Sequence, residues 1–297
     1  MKRRNAGPPP PDGLVIVDKP AGLTSHDVVG RLRRIAGTRR VGHAGTLDPM
    51  ATGVLVIGVE KATRLLGHLA LTEKGYDGTI RLGQNTVTDD AEGEVTDSTP
   101  AGHVGDAAIA AGVAELTGPI MQVPSKVSAI KIDGKRSYSR VRAGEEFELA
   151  ARPVTVSAFE VLATRREGET IDLDVRVTCS SGTYIRALAR DLGAGLGVGG
   201  HLTALRRTRV GPYGLDRART LEELEESFGV LPIADAAAAA FPRREVSEDE
   251  ARAVSHGGRL PADEASGPVG VFGPDGTFLA LVENSGGVAR PLAVFVG

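Results

Sequence analysis

The stretch His43-Ala44-Gly45-Thr46-Leu47-Asp48-Pro49-Met50-Ala51-Thr52-Gly53 decides how this 297-residue chain is read. It is glycine-rich and interrupted by Pro49, so it predicts irregular backbone rather than a helix or strand. It runs straight into residues 54–59, an apolar stretch that predicts a buried strand. Asp48 therefore sits in a loop at the mouth of a core strand. Two readings of it stay open from local chemistry. Aspartate favours turns because its side chain can cap local backbone. Alternatively, a rigid loop holds a carboxylate in a pocket, with Gly45 letting a ligand approach the backbone closely.

Outward from this loop, residues 14–17 read as a short buried strand stopped by Asp18-Lys19-Pro20-Ala21-Gly22. A helix follows, capped by Thr24 or Ser25, with Asp27 in its first turn. Val28, Leu32 and Ile35 fall on one face of it, with Arg31 and Arg34 off that face. Residues 76–82, 154–162 and 171–177 alternate like strands, and residues 209–215 also read as one. Residues 109–116, 183–192 and 221–228 read as helices. An alanine run, residues 236–240, followed by Pro242, marks an expected boundary. Strands and helices without regular alternation predict an α+β fold. The expected division is a disordered tail (1–11), a large domain (12–232) and a small C-terminal β-barrel (243–297). Residues 122–148 are basic with little apolar periodicity and read as a projecting insertion or lid.

Composition removes several classes of function. The single cysteine, Cys179, can form neither an internal disulfide nor a cysteine-rich zinc site. The six histidines show no zinc-ligand spacing, so no metal is expected. Gly195, Gly197 and Gly200 match G-x-G-x-x-G, but they follow a helix instead of opening one, which predicts a helix end and a turn. With no P-loop either, no nucleotide cofactor is implied. The basic, proline-rich start lacks the apolar core of a signal peptide, and a cytoplasmic location with no membrane is expected. The net charge of −3 hides local basic patches. These are Arg31, Arg33, Arg34, Arg39 and Arg40; Lys126, Lys131, Lys135, Arg136, Arg140 and Arg142; and Arg206, Arg207 and Arg209. Such patches without aromatic platforms predict a folded, phosphate-bearing partner.

Four segments in order resemble the bacterial tRNA pseudouridine-55 synthases, the TruB family. They are Asp18-Lys19-Pro20-x-Gly22-x-Thr24-Ser25, the His43–Gly53 stretch, Ser181-Gly182-Thr183-Tyr184-Ile185-Arg186-x-Leu188-x-x-Asp191-Leu192-Gly193, and His201-Leu202-x-x-Leu205-Arg206-Arg207-Thr208-x-x-Gly211. Lys74-Gly75-Tyr76 is similar to the family's active-site tyrosine segment. Ser125 and Val127 depart from it, where the family often has a proline and an aromatic.

The resemblance implies a pseudouridine-synthase-like, mostly antiparallel sheet with flanking helices and a C-terminal PUA-like barrel. It implies isomerisation of a T-loop uridine of tRNA without a cofactor, in a monomer needing no protein partner. Asp48 becomes the nucleophile, Arg186 the cation that keeps it ionised, and Tyr76 a stacking and supporting residue. His43, Tyr184, Leu205 and Lys19 join the substrate-binding set, with Arg33, Arg34 and Arg40 on tRNA phosphates. A non-catalytic RNA binder and a uridine methyltransferase are the competing readings. The first fits poorly with the presence of Asp48 and Arg186, and the second lacks a methyl-donor site.

On this reading, replacing Arg33, Arg34 and Arg40 together with alanine weakens tRNA binding. The log–log salt slope of affinity should shrink by roughly 0.7–0.9 for each phosphate that is no longer engaged. Filter binding across a salt series checks this, and an unchanged affinity and slope would remove these arginines from the interface.

Overall fold

The computed structural model describes residues 10–125 and 149–296, and the backbone of two short strands, Lys131–Ile132 and Lys135–Arg136. The expected tail (residues 1–9 of it) and most of the basic insertion lie outside the described residues. The chain opens with β1 (Gly13–Lys19), α1 (Ser25–Ile35), β2 (Val41–Ala44) and β3 (Thr52–Val59). Next come β4 (Lys74–Leu82), α2 (Asp106–Glu115), β5 (Gly118–Gln122), β6 (Arg152–Glu167) and β7 (Thr170–Cys179). Then follow α3 (Ile185–Gly195), β8 (Gly200–Val210), β9 (Tyr213–Gly214), α4 (Leu221–Glu226), β10 (Leu231–Pro232) and α5 (Ile233–Ala240). A C-terminal group holds β11 (Arg243–Glu245), α6 (Glu248–Ser255), β12 (Leu260–Pro261), β13 (Pro268–Phe272), β14 (Phe278–Ser285) and β15 (Val288–Val294).

Among the described residues, ten strands form one sheet in the order β10-β1-β3-β8-β4-β7-β6-β5, with β2 on β3 and β9 on β8. Its pairs are antiparallel except β3 with β8, which meet in parallel at Arg206↔Thr52 and Arg207↔Gly53. The architecture is thus the expected α+β, with a mostly antiparallel mixed sheet. A five-stranded sheet, β11-β13-β14-β15-β12, follows it in the chain.

Sequence pattern explains how each half of the large sheet is covered. β1 and β3 are apolar on both faces: Val15, Val17, Leu55 and Ile57 enter one core, while Leu14, Ile16, Val54 and Val56 enter another. Such strands read as continuous apolar runs. β7 alternates instead, burying Ile171, Leu173, Val175 and Val177. Its other face carries cross-strand ion pairs, Arg81 to Asp172 and Arg176 to Asp77, each bidentate at 2.7–3.0 Å. α1 starts where expected: Thr24 accepts from the Asp27 backbone N–H and Asp27 returns a bond to Thr24, a complete capping box.

Two expectations change. The quoted stretch begins as a strand, because residues 41–44 pair with β3 from Val41↔Val59 to Ala44↔Val56. Four residues containing Gly42 are too few to show a period. The strand expected at 209–215 is instead β8, which starts well before it at Gly200, followed by the short β9. Register shifts at Leu202/Ala204 and Arg207/Arg209 break its alternation, which hid it. The alanine run at the expected boundary forms α5 and buries Ala236 and Ala237. The glycines after α3 do end that helix, with the Gly199 N–H donating to Gly193 O at 3.0 Å.

The parallel contact of β3 and β8 depends on Gly53. Its φ is +95°, and a Cβ there would stand 2.2 Å from Arg207 O. Gly53→Ala is expected to lower unfolding free energy by about 3 kcal/mol or more, from backbone strain plus a forced shift of β8. Gly67→Ala, in the helical turn Leu66–Leu69 with nothing near the added carbon, should be neutral or stabilising. Urea unfolding of both variants checks the contrast, and equal midpoints would refute it.

Candidate active site

Four independent tethers fix the loop that carries Asp48. Ser25 Oγ donates to Leu47 O at 3.1 Å and accepts the Leu47 N–H at 2.8 Å. The Gly22 N–H donates to Pro49 O at 2.8 Å. Lys19 Nζ donates to Leu23 O at 2.6 Å, Pro20 O at 3.0 Å and Pro49 O at 3.2 Å. From β8, Arg207 donates through Nη2 to Gly45 O at 3.0 Å and through Nε to Val54 O at 2.7 Å. The loop is thus the rigid platform that one reading of Asp48 required. Gly45 has a φ of +76° and lines the cavity, and a Cβ there would meet Lys74 Cε at an ordinary 3.5 Å.

Asp48 meets Arg186 at the start of α3, with Arg186 Nε 3.1 Å from Asp48 Oδ2. The arginine is 4% exposed and the carboxylate 35%. Arg186 Nη1 also lies 3.2 Å from Asp90 Oδ2 and donates to Thr88 O at 2.8 Å. Asp90, in the loop between the short strands Gln84–Thr86 and Val95–Ser98, is only 2% exposed. One guanidinium is therefore shared between two carboxylates. Burial pushes the Asp48 carboxyl above its ordinary value, and Asp90 adds to the rise. Arg186 and then Lys19 pull the other way. Burial and the Arg186 cation thus act on Asp48 in opposite directions, with burial the larger.

A cavity of about 300 Å³ opens over Asp48. Tyr76 on β4 and Leu205 on β8 wall it, together with Tyr184 and Arg186 at the head of α3, and Lys74 and Arg207. Tyr184 is held at its backbone, where Gln122 accepts its N–H at 2.8 Å and donates to its carbonyl at 3.1 Å. Burial raises the Tyr76 hydroxyl above its usual range, which suits an apolar wall better than a base.

The other expected residues fall elsewhere. Lys19 is fully buried, does not line the cavity and is committed to carbonyls, so its place among substrate-binding residues is corrected to that of a loop tether. Burial pushes its ammonium down to about 8, against the opposing charge of Asp48. His43 sits on β2 opposite Ile57 and does not line the cavity. Arg33 and Arg34 are exposed on α1, and Arg40 is exposed beside Glu60 at 3.3 Å. The third basic patch is no patch. Arg207 is 1% exposed, Arg206 holds Asp18 through two bonds of 2.7 and 3.0 Å, and Arg209 holds Glu73 at 2.7 Å. Cys179 is buried and its thiol is pushed up to about 11, a core residue rather than a nucleophile.

Comparison with known proteins meets this geometry. The family description "TruB family pseudouridylate synthase (N terminal domain)" matches residues 33–185. The chain belongs to the TruB family. Two further descriptions, "tRNA pseudouridylate synthase B C-terminal domain" and "tRNA Pseudouridine synthase II, C terminal", match residues 186–232 and 241–296. A protein of Streptomyces griseus subsp. griseus named tRNA pseudouridine synthase B is 70% identical over 96% of this chain and 97% of its own. Its namesake from Thermobifida fusca is 65% identical over 96% and 99%. A solved structure titled "Crystal Structure of a Cbf5-Nop10-Gar1 Complex" superposes with a TM-score of 0.74 at 28% identity, over 96% of this chain and 85% of that one. Among the described residues of this TruB-family protein, no helix is long and apolar enough to cross a membrane.

Sequence reasoning missed Asp90, Thr88 and Gln122. Thr88-Asp89-Asp90 looks like an ordinary polar turn, and Gln122 looks like the start of the basic insertion. Only the motif tie of Arg186 to Asp48 hinted that a buried guanidinium needs further partners.

The charge balance is testable by carbon-detected titration of aspartate carboxyls, with the Asp48 signal assigned by its loss in Asp48→Asn. Asp48 should titrate above the ordinary value of about 4. Arg186→Gln should move it further up and Asp90→Asn should move it down. A midpoint below the ordinary value in the unmodified protein would contradict the account.

Proposed function

We propose that this protein converts the T-loop uridine of tRNA, position 55, to pseudouridine, with Asp48 as the nucleophile. The observation that carries the reading is one carboxylate, partly open to a cavity, braced by a buried arginine and faced by Tyr76 and Leu205. Pseudouridine formation breaks the bond from C1′ to N1, turns the base and joins C5 to C1′. It needs a nucleophile that holds the fragments together, and an ionised carboxylate supplies one. It also needs the base out of its stack, between apolar and aromatic walls. Tyr76 and Leu205 are such walls. The relatives named tRNA pseudouridine synthase B support tRNA as the substrate.

Because Asp48 must be ionised and its carboxyl is raised, activity should fall on acidification at a pH above the ordinary carboxylate range. The deciding experiment is incubation with unmodified tRNA transcript, followed by mapping of pseudouridine. Asp48→Asn should retain tRNA binding and lose turnover, since its amide cannot act as the carboxylate nucleophile. Substantial turnover by pure Asp48→Asn would sink the assignment.

Substrate shape gives a second test. An isolated T-arm stem-loop should be modified, while a linear strand of the same loop sequence should react far more slowly. The folded loop presents splayed bases, whereas the linear strand has first to be ordered. Equal rates on the two RNAs would refute recognition of a folded loop even if Asp48 proved essential.

A further inference from the structure

The cavity wall carries more positive charge than its carboxylates neutralise. In that wall Arg186 is matched by Asp48 and, behind it, by Asp90, while Arg190, Arg206 and Arg209 stand outside the wall with carboxylates of their own. Lys74 and Arg207 are different. Lys74 is 6% exposed and donates only to carbonyls, Ala70 O at 2.8 Å and Thr72 O at 3.0 Å. Arg207, 1% exposed, likewise donates to the carbonyls of Val54, Gly45 and Thr46. Among the described residues neither pairs with a carboxylate. Both line the catalytic cavity, and they converge on Gly45, with Lys74 Cε 3.5 Å and Arg207 Nη1 3.6 Å from where its Cβ would be. Two buried like charges side by side destabilise a fold unless something compensates them.

We propose that Lys74, backed by Arg207, is the part of the cavity wall that holds the uracil ring while it carries negative charge. This rests on the pseudouridine-forming reading above. When the C1′–N1 bond breaks, its electron pair leaves with N1, and the charge spreads over the ring to O2 and O4. Attack at C6 instead places charge on O4 as an enolate at the addition step, so the ring is anionic on either route. After rotation C5 bonds to C1′, the C–O bond that Asp48 made breaks and returns its electron pair to the carboxylate, the C5 proton leaves and N1 takes one up, so the reaction is an isomerisation with nothing left over. Neutral uridine lacks that charge, so the contact strengthens only along the reaction. Interactions that grow toward the transition state raise rate rather than affinity.

The same two cations would also suit a phosphate of the bound RNA, and rate against affinity separates the two roles. Lys74 offers a second handle. Its ammonium is lowered to about 8, by burial first and by Arg207 second. The groups facing it are Arg207 on β8, the Cys179 thiol on β7 and the carbonyls of Ala70 and Thr72, and the thiol stays neutral up to about 11. An ammonium that must be charged gives a rate that falls as pH rises through about 8. Lys19 is lowered to the same region, so a variant has to decide between them. Arginine at position 74 would keep its charge there.

Single-turnover pseudouridine formation on full-length tRNA transcript is measured across pH for the unmodified protein, Lys74→Met and Lys74→Arg, with tRNA affinity determined separately. Lys74→Met should slow the reaction roughly 100-fold or more at saturating enzyme, with affinity unchanged. Lys74→Arg should recover much of the rate and move the alkaline fall to higher pH. Lys74→Met that binds more weakly yet reacts at the full rate once saturated would make Lys74 a phosphate anchor and overturn the proposal. So would Lys74→Arg that keeps the fall near 8. Should Lys74→Met not fold, the pH profile of Lys74→Arg decides alone. An unmodified protein that forms no pseudouridine would instead remove the functional reading, and this inference with it.

Discussion

Where β3 and β8 run side by side, the backbone of Arg207 lies against Gly53 with no room for a methyl group. This contact joins the N-terminal strands to the strands that follow α3. It also delivers the Arg207 side chain to the carbonyls of Gly45 and Val54, on either side of Asp48. The loop, the cavity wall and the sheet's parallel seam are one construction. Ser25, Gly22 and Lys19 add tethers from the other side. Such over-determination fixes the Asp48 carboxylate from several sides at once.

Electrostatics in the site is a matter of sharing. Arg186 serves two carboxylates, of which Asp90 is almost wholly buried and Asp48 opens to the cavity. Asp90 and Thr88 O orient the guanidinium, leaving Nε for Asp48. Burial raises the Asp48 carboxyl while Arg186 lowers it, so the site sets solvent exclusion against pairing.

Much of this is legible in the residues themselves. β1, β3, β4 and β7 announce themselves through apolar runs or alternation, and α1 through its capping box. Asp48, Arg186, Tyr76, Tyr184 and Leu205 do come together around one cavity. What stays hidden has physical reasons. β8 is bulged twice, so its period is broken. Asp90 is a buried ion in what reads as a polar turn, and burial of a charge leaves no local trace in sequence. Arg206, Arg207 and Arg209 look like a solvated patch because residue order does not reveal that Asp18, buried carbonyls and Glu73 wait for them. Lys19 misleads for the same reason: residue order does not reveal that its ammonium is held by the carbonyls of Pro20, Leu23 and Pro49.

The C-terminal sheet brings three phenylalanines to the back of the catalytic one. Phe272, Phe278 and Phe295 pack on one another, with ring centroids 5.3 and 4.7 Å apart. They share a buried cluster with Val54 and Val56 of β3 and Val210 of β8. The strand leading out of the Asp48 loop is therefore covered, on its far face, by residues from the opposite end of the chain. A module attached by a surface contact can be exchanged or dropped in descent with little harm. One that supplies another module's interior cannot, because its removal leaves bare hydrocarbon behind. Removing the C-terminal part of this protein would strip the cover from Val54, Val56 and Val210, so the two parts share one interior.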